Sequence, residues 1–320
     1  MEDFAGKVVV VTGGAGGIGR ALAAAFVAER ATVVIADVRD DAVQRTAGEL
    51  GIVGIATDVS DPESVTALAD AVYGRYGACH VLVNNAGVGA PSAPTWDTTE
   101  NDWRWVIGVN LLGVVHGIHA FVPRMLAAGG EGWIVNTSSG NGGIAPLPGT
   151  SVYAASKAAV STVTECLAAE LAAAGSALRA AVFYPSGGLL RTGLWESDRT
   201  RPASLARERP RTSEPVTIAS LEAAAAKGGY TLPWQDLDQL ARVVIDGIRA
   251  GSFVHMIDVA TIGQQLRLRA EHFERAEAVP NPSRQPSITA VIARPEHSTD
   301  HPTDHPTDHP TDHPTNEEMS

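Results

Sequence analysis

The stretch Val8-Val9-Val10-Val11-Thr12-Gly13-Gly14-Ala15-Gly16-Gly17-Ile18-Gly19 decides the fold. Four consecutive valines with no polar alternation read as a strand buried on both faces, the pattern of a parallel sheet covered by helices. The glycines open onto Ile18–Arg30, which reads as a helix. A glycine-rich turn between a buried strand and a helix suits a dinucleotide. Its backbone can approach a diphosphate closely, and the helix N-terminus favours the negative charge. Gly13, Gly16, Gly17, Ile18 and Gly19 are therefore the first candidate cofactor residues.

Working outward, the same alternation continues. Thr32–Ala36, Ile52–Ala56, Val81–Val83, Trp133–Thr137, Leu178–Tyr184 and Phe253–Ile257 read as further strands. Asp40–Leu50, Pro62–Tyr76, Glu100–Ala128 and Ser151–Ala174 read as helices between them, with Asp61 capping and Pro62 in first position. Pro123 is expected to bend or break the long helix. The fold class is α/β: a Rossmann-type, doubly wound, seven-stranded and mainly parallel sheet with helices on both faces. Residues 1–278 are expected to form a single domain. Residues 189 to about 233, rich in Arg, Pro, Ser and Thr with a helical patch at Ile218–Ala226, leave a strand's C-terminal end, where such folds bind substrate; the segment reads as a lid, or else as a solvated decoration. A charged amphipathic helix is expected at Thr261–Glu277. From 279 to 320 the chain turns to Pro, Ser, Thr, His and Asp, with Thr-Asp-His-Pro repeated four times from Thr299 to Pro314, and reads as disordered.

Net charge is −12, but seven of the acids lie in the last 25 residues. No basic stripe is present, so nucleic acid is not an expected partner. Cys79 and Cys166 lack a metal-ligand spacing and read as reduced thiols, and the Asp-His pairs of the repeats lack preorganisation, so no metal site is expected. No apolar run reaches about 18 residues, and no signal peptide precedes the first strand. The expectation is a cytoplasmic protein without a membrane partner.

Asp37, followed by Val38, closes the second strand 18 residues after Gly19. A carboxylate there accepts from the adenosine ribose hydroxyls and repels a 2′-phosphate, which favours NAD over NADP; Arg39 is the residue that argues for phosphate. Further on come Asn84-Asn85-Ala86-Gly87, the pair Ser138-Ser139, and Tyr153 with Lys157 one helical turn later. That spacing sets the ammonium on the same helix face as the phenol, whose ordinary pKa of about 10 is too high for a base near neutrality.

Together these residues resemble the short-chain dehydrogenase/reductase family, well over residues 5–192 and more loosely over 234–258. Thr12, Gly13, Gly17 and Gly19 match its loop, Asn84–Gly87 its fourth-strand turn, and Asn110 its long-helix Asn. The resemblance implies that Asp58-Val59 contacts adenine and that Asn85, Ala86 and Gly87 pass the adenosine ribose. It implies a catalytic set of Ser139, Tyr153, Lys157 and Asn110, in which Lys157 also holds the nicotinamide ribose and Asn110 holds a relay water. The family places its Ser thirteen residues before the Tyr; here that position is Gly140, so Ser139 implies one extra residue in Gly140–Gly143, with Ser138 the other candidate. Its Pro-Gly turn reads Pro185-Ser186-Gly187-Gly188, and Pro185, Gly187, Leu190 and Thr192 are assigned to the carboxamide end.

The implied chemistry is hydride transfer at a carbinol carbon, with Tyr153 moving the proton and Ser139 donating to the carbonyl oxygen. Asn141 and Trp195 are candidate substrate contacts. The resemblance extends to members that oxidise benzylic alcohols in lignin-derived aryl ethers, so a bulky apolar or aromatic secondary alcohol, or its ketone, is the expected substrate. The helices at 100–128 and 151–174 resemble those that pair subunits, implying a homodimer or homotetramer. Two other readings are a biosynthetic NADPH-dependent ketoreductase and a non-catalytic NAD-binding sensor.

Overall fold

The computed structural model describes residues 1–211 and 216–276. By internal contacts the chain separates into Met1–Gln285 and Pro286–Ser320, and all described residues belong to the first unit. The tail expected at 279–320, with its repeats, lies outside the described residues.

Seven strands form one sheet in the order β3-β2-β1-β4-β5-β6-β7. They are β1 (Val8–Thr12), β2 (Thr32–Asp37), β3 (Val53–Ala56), β4 (Val81–Asn84), β5 (Gly132–Thr137), β6 (Leu178–Phe183) and β7 (Val254–His255). Every strand pairing is parallel. The helices are α1 (Gly17–Ala28), α2 (Asp40–Leu50), α3 (Pro62–Tyr76), α4 (Glu100–Ile107), α5 (Gly113–Ala128), the short α6 (Gly140–Gly143), α7 (Ser151–Ala173), α8 (Ile218–Gly228), α9 (Leu237–Ala250) and α10 (Val259–Glu274).

The valine run explains the two layers. Side chains alternate across a strand, so Val9 and Val11 join one core with Phe26, Leu240 and Val244 of α1 and α9. Val8 and Val10 join the other with Leu68, Phe121 and Leu167 of α3, α5 and α7. A strand that is apolar at every position has both faces to bury, and the helices supply both covers.

Two expectations change and one unanticipated element appears. Glu100–Ala128 does not break at Pro123: α geometry yields earlier, in a π turn at Gly108–Leu112, and α5 continues through the proline. Phe121, Val122 and Met125 flank the proline and are buried. At about 1.5–3 kcal/mol each, their burial exceeds the proline's cost of about 3 kcal/mol. The unanticipated element is α9, which carries the periodic apolar face Leu240, Ala241, Val244, Ile245, Ile248 and covers the sheet beside α1. The second change is that β7 is only two residues long. Glu100–Ala128 is also the stretch among the described residues long and apolar enough by composition to cross a membrane, with a mean hydropathy of 1.7. Here Phe121, Val122 and Met125 of the stretch pack into the sheet's core while Leu112 and Leu126 are exposed.

The segment at 189–233 rises from the sheet's C-terminal edge and closes on itself at its base. The N–H of Leu189 donates to the Pro233 carbonyl (2.8 Å), and that of Gln235 to the Leu189 carbonyl (2.8 Å). It holds 3₁₀ turns at Gly193–Thr200 and Ala203–Leu205 before α8.

His255 is fully buried beneath Trp133 at a ring separation of 6.1 Å, and its Nε2 meets the Ser252 carbonyl. Burial pushes its imidazole down to about 4. Its folded value lies below its unfolded value, so the unfolded chain takes up the proton first. Stability is complete above pH ~6.5 and falls as pH drops toward 4, by about 3 kcal/mol in total. In urea unfolding at pH 7.5 and pH 5, His255→Gln should lose about 2 kcal/mol less between the two than the wild type.

Candidate active site

Because the strands are parallel, the loops after β1, β4 and β5 emerge on one edge. They meet the starts of α1 and α7 in a cleft of about 410 Å³. It lies where β1 has β2 on one side and β4 on the other, the position at which open α/β sheets bind ligands.

The glycine loop is locked to the neighbouring strand turn. The Thr12 hydroxyl accepts from the N–H groups of Asn85 (3.0 Å) and Ala86 (3.1 Å), and the Asn85 amide donates to the Thr12 carbonyl (2.9 Å). A methyl group at Gly19 would collide with the Gly13 carbonyl oxygen, so no other residue allows α1 to start this close to the loop. Gly17 has φ +53° and lies against Thr192 of the lid. Gly16 caps α1 without a side-chain acceptor, and no acid sits in the first turn, so no side-chain cap claims the first helical N–H groups. That suits an anionic diphosphate.

At the other end of β2, Asp37 is held from two sides. Its Oδ2 accepts from the Ala15 N–H (3.2 Å), and its Oδ1 accepts from the N–H (3.2 Å) and Nε (3.3 Å) of Arg39. A ribose reaching this carboxylate meets Arg39 as a competitor. Asp58 is folded onto its own turn, accepting from the N–H (2.9 Å) and Oγ (2.6 Å) of Ser60, and Val59 beside it packs on Gly113.

At the catalytic end, the two serines separate by geometry. Ser138 is buried and donates to the Lys157 carbonyl (2.7 Å) while sharing a hydrogen bond with Ser161 (2.8 Å). Ser139 lines the cleft with Tyr153, and its hydroxyl acts to favour the ionised phenol. Lys157 Nζ donates to the Thr137 carbonyl (2.8 Å) and stands 6.0 Å from the Tyr153 ring centre. Burial pushes the Tyr153 phenol up, and the Ser139 hydrogen bond draws it back. Burial brings the Lys157 ammonium down to about 8. The ammonium is itself desolvated and its hydrogen bond goes to Thr137, and the phenol stays above its ordinary value.

Asn110 sits in the π turn and is fully buried. Its Oδ1 accepts from the Val88 N–H (2.8 Å), and its Nδ2 donates to the Val88 carbonyl (3.0 Å) and Ser156 Oγ (3.1 Å). It fastens the β4 loop to α7 and does not line the cleft. Asn84 braces the sheet behind it, donating to Asn136 (2.9 Å), which donates to Thr164 (3.0 Å).

The cleft therefore gathers Gly13, Gly16, Gly17, Ile18, Gly19, Asp37, Val38, Asp58, Val59, Asn85, Ala86 and Gly87 with Ser139, Tyr153, Lys157, Pro185, Leu190 and Thr192. Four expected residues fall elsewhere: Asn110, described above, and Asn141, Trp195 and Gly187. The Asn141 side chain ties its own loop, bonding Thr150 Oγ1 and the Leu147 N–H. Trp195 donates its indole N–H to the Leu190 carbonyl (2.8 Å). Gly187 faces Gln235 at the base of the lid. The cleft is also lined by Val88, Trp105, Val109, Leu194, Arg199 and Pro202. These residues come from the loop after β4, from α4, the π turn and the segment after β6, which are far apart in sequence, so no local pattern announced them.

The family model described as short chain dehydrogenase matches residues 7–202. A relative named probable oxidoreductase EphD, from Mycobacterium tuberculosis, is 42% identical over 180 residues, covering 55% of this chain but only 30% of that longer protein. The C alpha-dehydrogenase of Sphingobium sp. is 38% identical over 209 residues, covering 63% of this chain and 67% of that protein. The crystal structure of a short chain dehydrogenase/reductase from Burkholderia phymatum in complex with NAD superposes with a TM-score of 0.78. It is 34% identical, covering 88% of this chain and 99% of that one.

The serines should differ in urea unfolding. Ser138→Ala removes two buried hydrogen bonds, although Lys157 and Ser161 keep other partners, and should cost about 1–2 kcal/mol, whereas Ser139→Ala removes the cap of a four-residue turn and should cost below about 1 kcal/mol.

Proposed function

The chain belongs to the short-chain dehydrogenase family, and from that premise we propose that it is an NAD-dependent oxidoreductase that interconverts a bulky, apolar or aromatic secondary alcohol and its ketone. The observation that carries this reading is one cleft holding Asp37 and the glycine loop at one end and Ser139, Tyr153 and Lys157 at the other. The same cleft is lined by Val88, Trp105, Val109 and Leu194, an apolar wall that favours bulk and aromaticity over charge. The similarity to a C alpha-dehydrogenase supports a benzylic carbinol.

The loop and Asp37 fit a dinucleotide, which when bound supplies the hydride acceptor or donor. The chain's own residues handle the proton. In oxidation Tyr153 takes it from the substrate hydroxyl; in reduction it gives it back, and Ser139 donates to the oxygen on which negative charge develops. Lys157, anchored on Thr137, holds the nicotinamide ribose and stabilises the phenolate once the site is filled. Asn110 keeps the Val88 backbone in place beside it.

A second reading, NADPH-dependent reduction, is favoured by Arg39, whose guanidinium lines the cleft and already covers Asp37. Assembly as a homodimer or homotetramer through α5 and α7 fits the exposed Leu112 and Leu126 on the long helical stretch. We place the protein in the cytoplasm and its domain at residues 1–278.

The test is absorbance at 340 nm with NAD or NADP against a panel of secondary alcohols that includes benzylic and aryl-ether types. NAD should be reduced and NADP left nearly untouched; consumption of NADPH with ketones alone would instead establish the second reading. Tyr153→Phe should lower kcat by about 10²–10⁴-fold while NADH binding, read by fluorescence, stays in place. Tyr153 accepts the proton only as phenolate, a form that burial disfavours, so kcat/KM for the alcohol should climb as pH rises while that for the ketone falls.

A further inference from the structure

One buried charge is unused by the chemistry above. Asp102, in the first turn of α4, is 2% exposed and is met by two guanidiniums of the lid: Arg201 at 2.7 Å, 6% exposed, and Arg207 at 3.4 Å, 13% exposed. Its other duty is local. Thr99 N–H donates to Asp102 Oδ2 (3.0 Å), and Asp102 N–H donates to Thr99 Oγ1 (3.3 Å), a reciprocal cap for α4. Burial acts to raise its carboxyl pKa, but the hydrogen bonds from Arg201 and Thr99 outweigh it and hold the group below the ordinary carboxylate value, so it stays ionised.

The contacts around this carboxylate tie the lid down along its length. Arg201 stacks over Trp105 at 5.0 Å and donates to the Leu205 carbonyl (2.6 Å). Asn101 donates from its side chain to the Ala206 carbonyl (2.8 Å) and from its backbone to Glu208 (3.0 Å). Arg211 pairs with Asp198. The group sets three arginines, Arg201, Arg207 and Arg211, against three acids, Asp102, Asp198 and Glu208, while Arg201 Nη2 and Arg207 Nε are buried without a hydrogen-bond partner. Trp105 below Arg201, and Thr200 and Pro202 on either side of it, all line the cleft. Nearby, Ser197 accepts from the Gly89 N–H (2.8 Å), seating the lid on the β4 loop.

We propose that Asp102 is a positioning residue: through Arg201 and Arg207 it clasps residues 193–208 shut over the substrate end of the cleft, so the apolar pocket is formed before substrate arrives. An ionised carboxylate shared by two buried guanidiniums is strongly bound because removing it leaves both cations unpaired. A lid held this way has little internal packing of its own, since Ser197 is the only buried residue in Gly193–Thr200 and none is buried in Ala203–Leu205. The clasp therefore sets how tightly the pocket grips a bulky alcohol, and leaves the proton transfer between Ser139 and Tyr153 alone.

The substrate side of this inference rests on the dehydrogenase reading; the closure of the lid does not. Asp102→Asn keeps the size and the capping acceptor and removes the charge. By amide hydrogen exchange it should speed exchange of residues 194–208 about ten-fold or more while β1 and β4 exchange as in the wild type. In the same variant KM for the alcohol should rise about ten-fold with kcat within about three-fold, and NADH affinity should hold. Arg207→Gln, which leaves the α4 cap untouched, should move both readouts the same way by less. Unchanged exchange in both variants overturns the clasp. Faster exchange with an unchanged KM overturns its role in positioning. A wild type that turns over no alcohol or ketone refutes the dehydrogenase reading, and exchange alone then decides the clasp.

Discussion

The site depends on strands that run parallel with both faces dry. A parallel pair cannot be joined by a tight turn, so each connection crosses the sheet as a helix and returns the chain to the same edge. Every strand's C-terminal loop is thereby delivered to one place. The glycine loop after β1, the Asn85–Gly87 turn after β4 and the serines after β5 become neighbours without any direct preference for one another. The alternating valines of β1, divided between the two cores, are where this constraint is enforced. Slipping that strand by one residue would exchange its two sets of side chains between covers of different shape.

Within that frame, buried polar side chains carry the alignment. Thr12 binds two N–H groups of the neighbouring turn, Asn110 both backbone groups of Val88, and Lys157 the Thr137 carbonyl. Each group pays its desolvation by making specific bonds, which low dielectric strengthens when satisfied and penalises when broken. They therefore fix distances that apolar packing alone would leave loose. The desolvation that anchors Lys157 also weakens its hold on its proton, while Tyr153 is restrained by the hydroxyl of Ser139.

The lid is built on a different principle. The core is held by area removed from water, whereas residues 193–211 have few apolar side chains to bury and are held by ion pairs to α4. Ion pairs are directional and can be exchanged, so this segment can sit precisely without being part of the cooperative core. The molecule thus combines a rigid edge that presents the reacting groups with a separately fastened wall that shapes what reaches them.

Much of this was legible in the chain. The valine run, the glycine spacing and the Tyr153–Lys157 turn are local patterns whose physical meaning does not depend on distant residues, so the parallel sheet could be read directly, and the glycine loop, Tyr153 and Lys157 do share one cleft. Helix α9 was not among the expected elements, although its apolar residues Leu240, Ala241, Val244, Ile245 and Ile248 carry a helical spacing. What the sequence by itself determined is the alternation of buried strands with helices and the identity of the residues at the strand ends. Only the tertiary structure decided that Ser139 rather than Ser138 meets Tyr153, that Asn141 and Trp195 turn away from the cleft, that the long helix loosens at Asn110 and not at Pro123, and that Asp102 clasps a segment about a hundred residues away. Those outcomes follow from which groups burial brings together and leaves to be satisfied, and a hydrogen-bond partner supplied by another element has no signature in the local sequence.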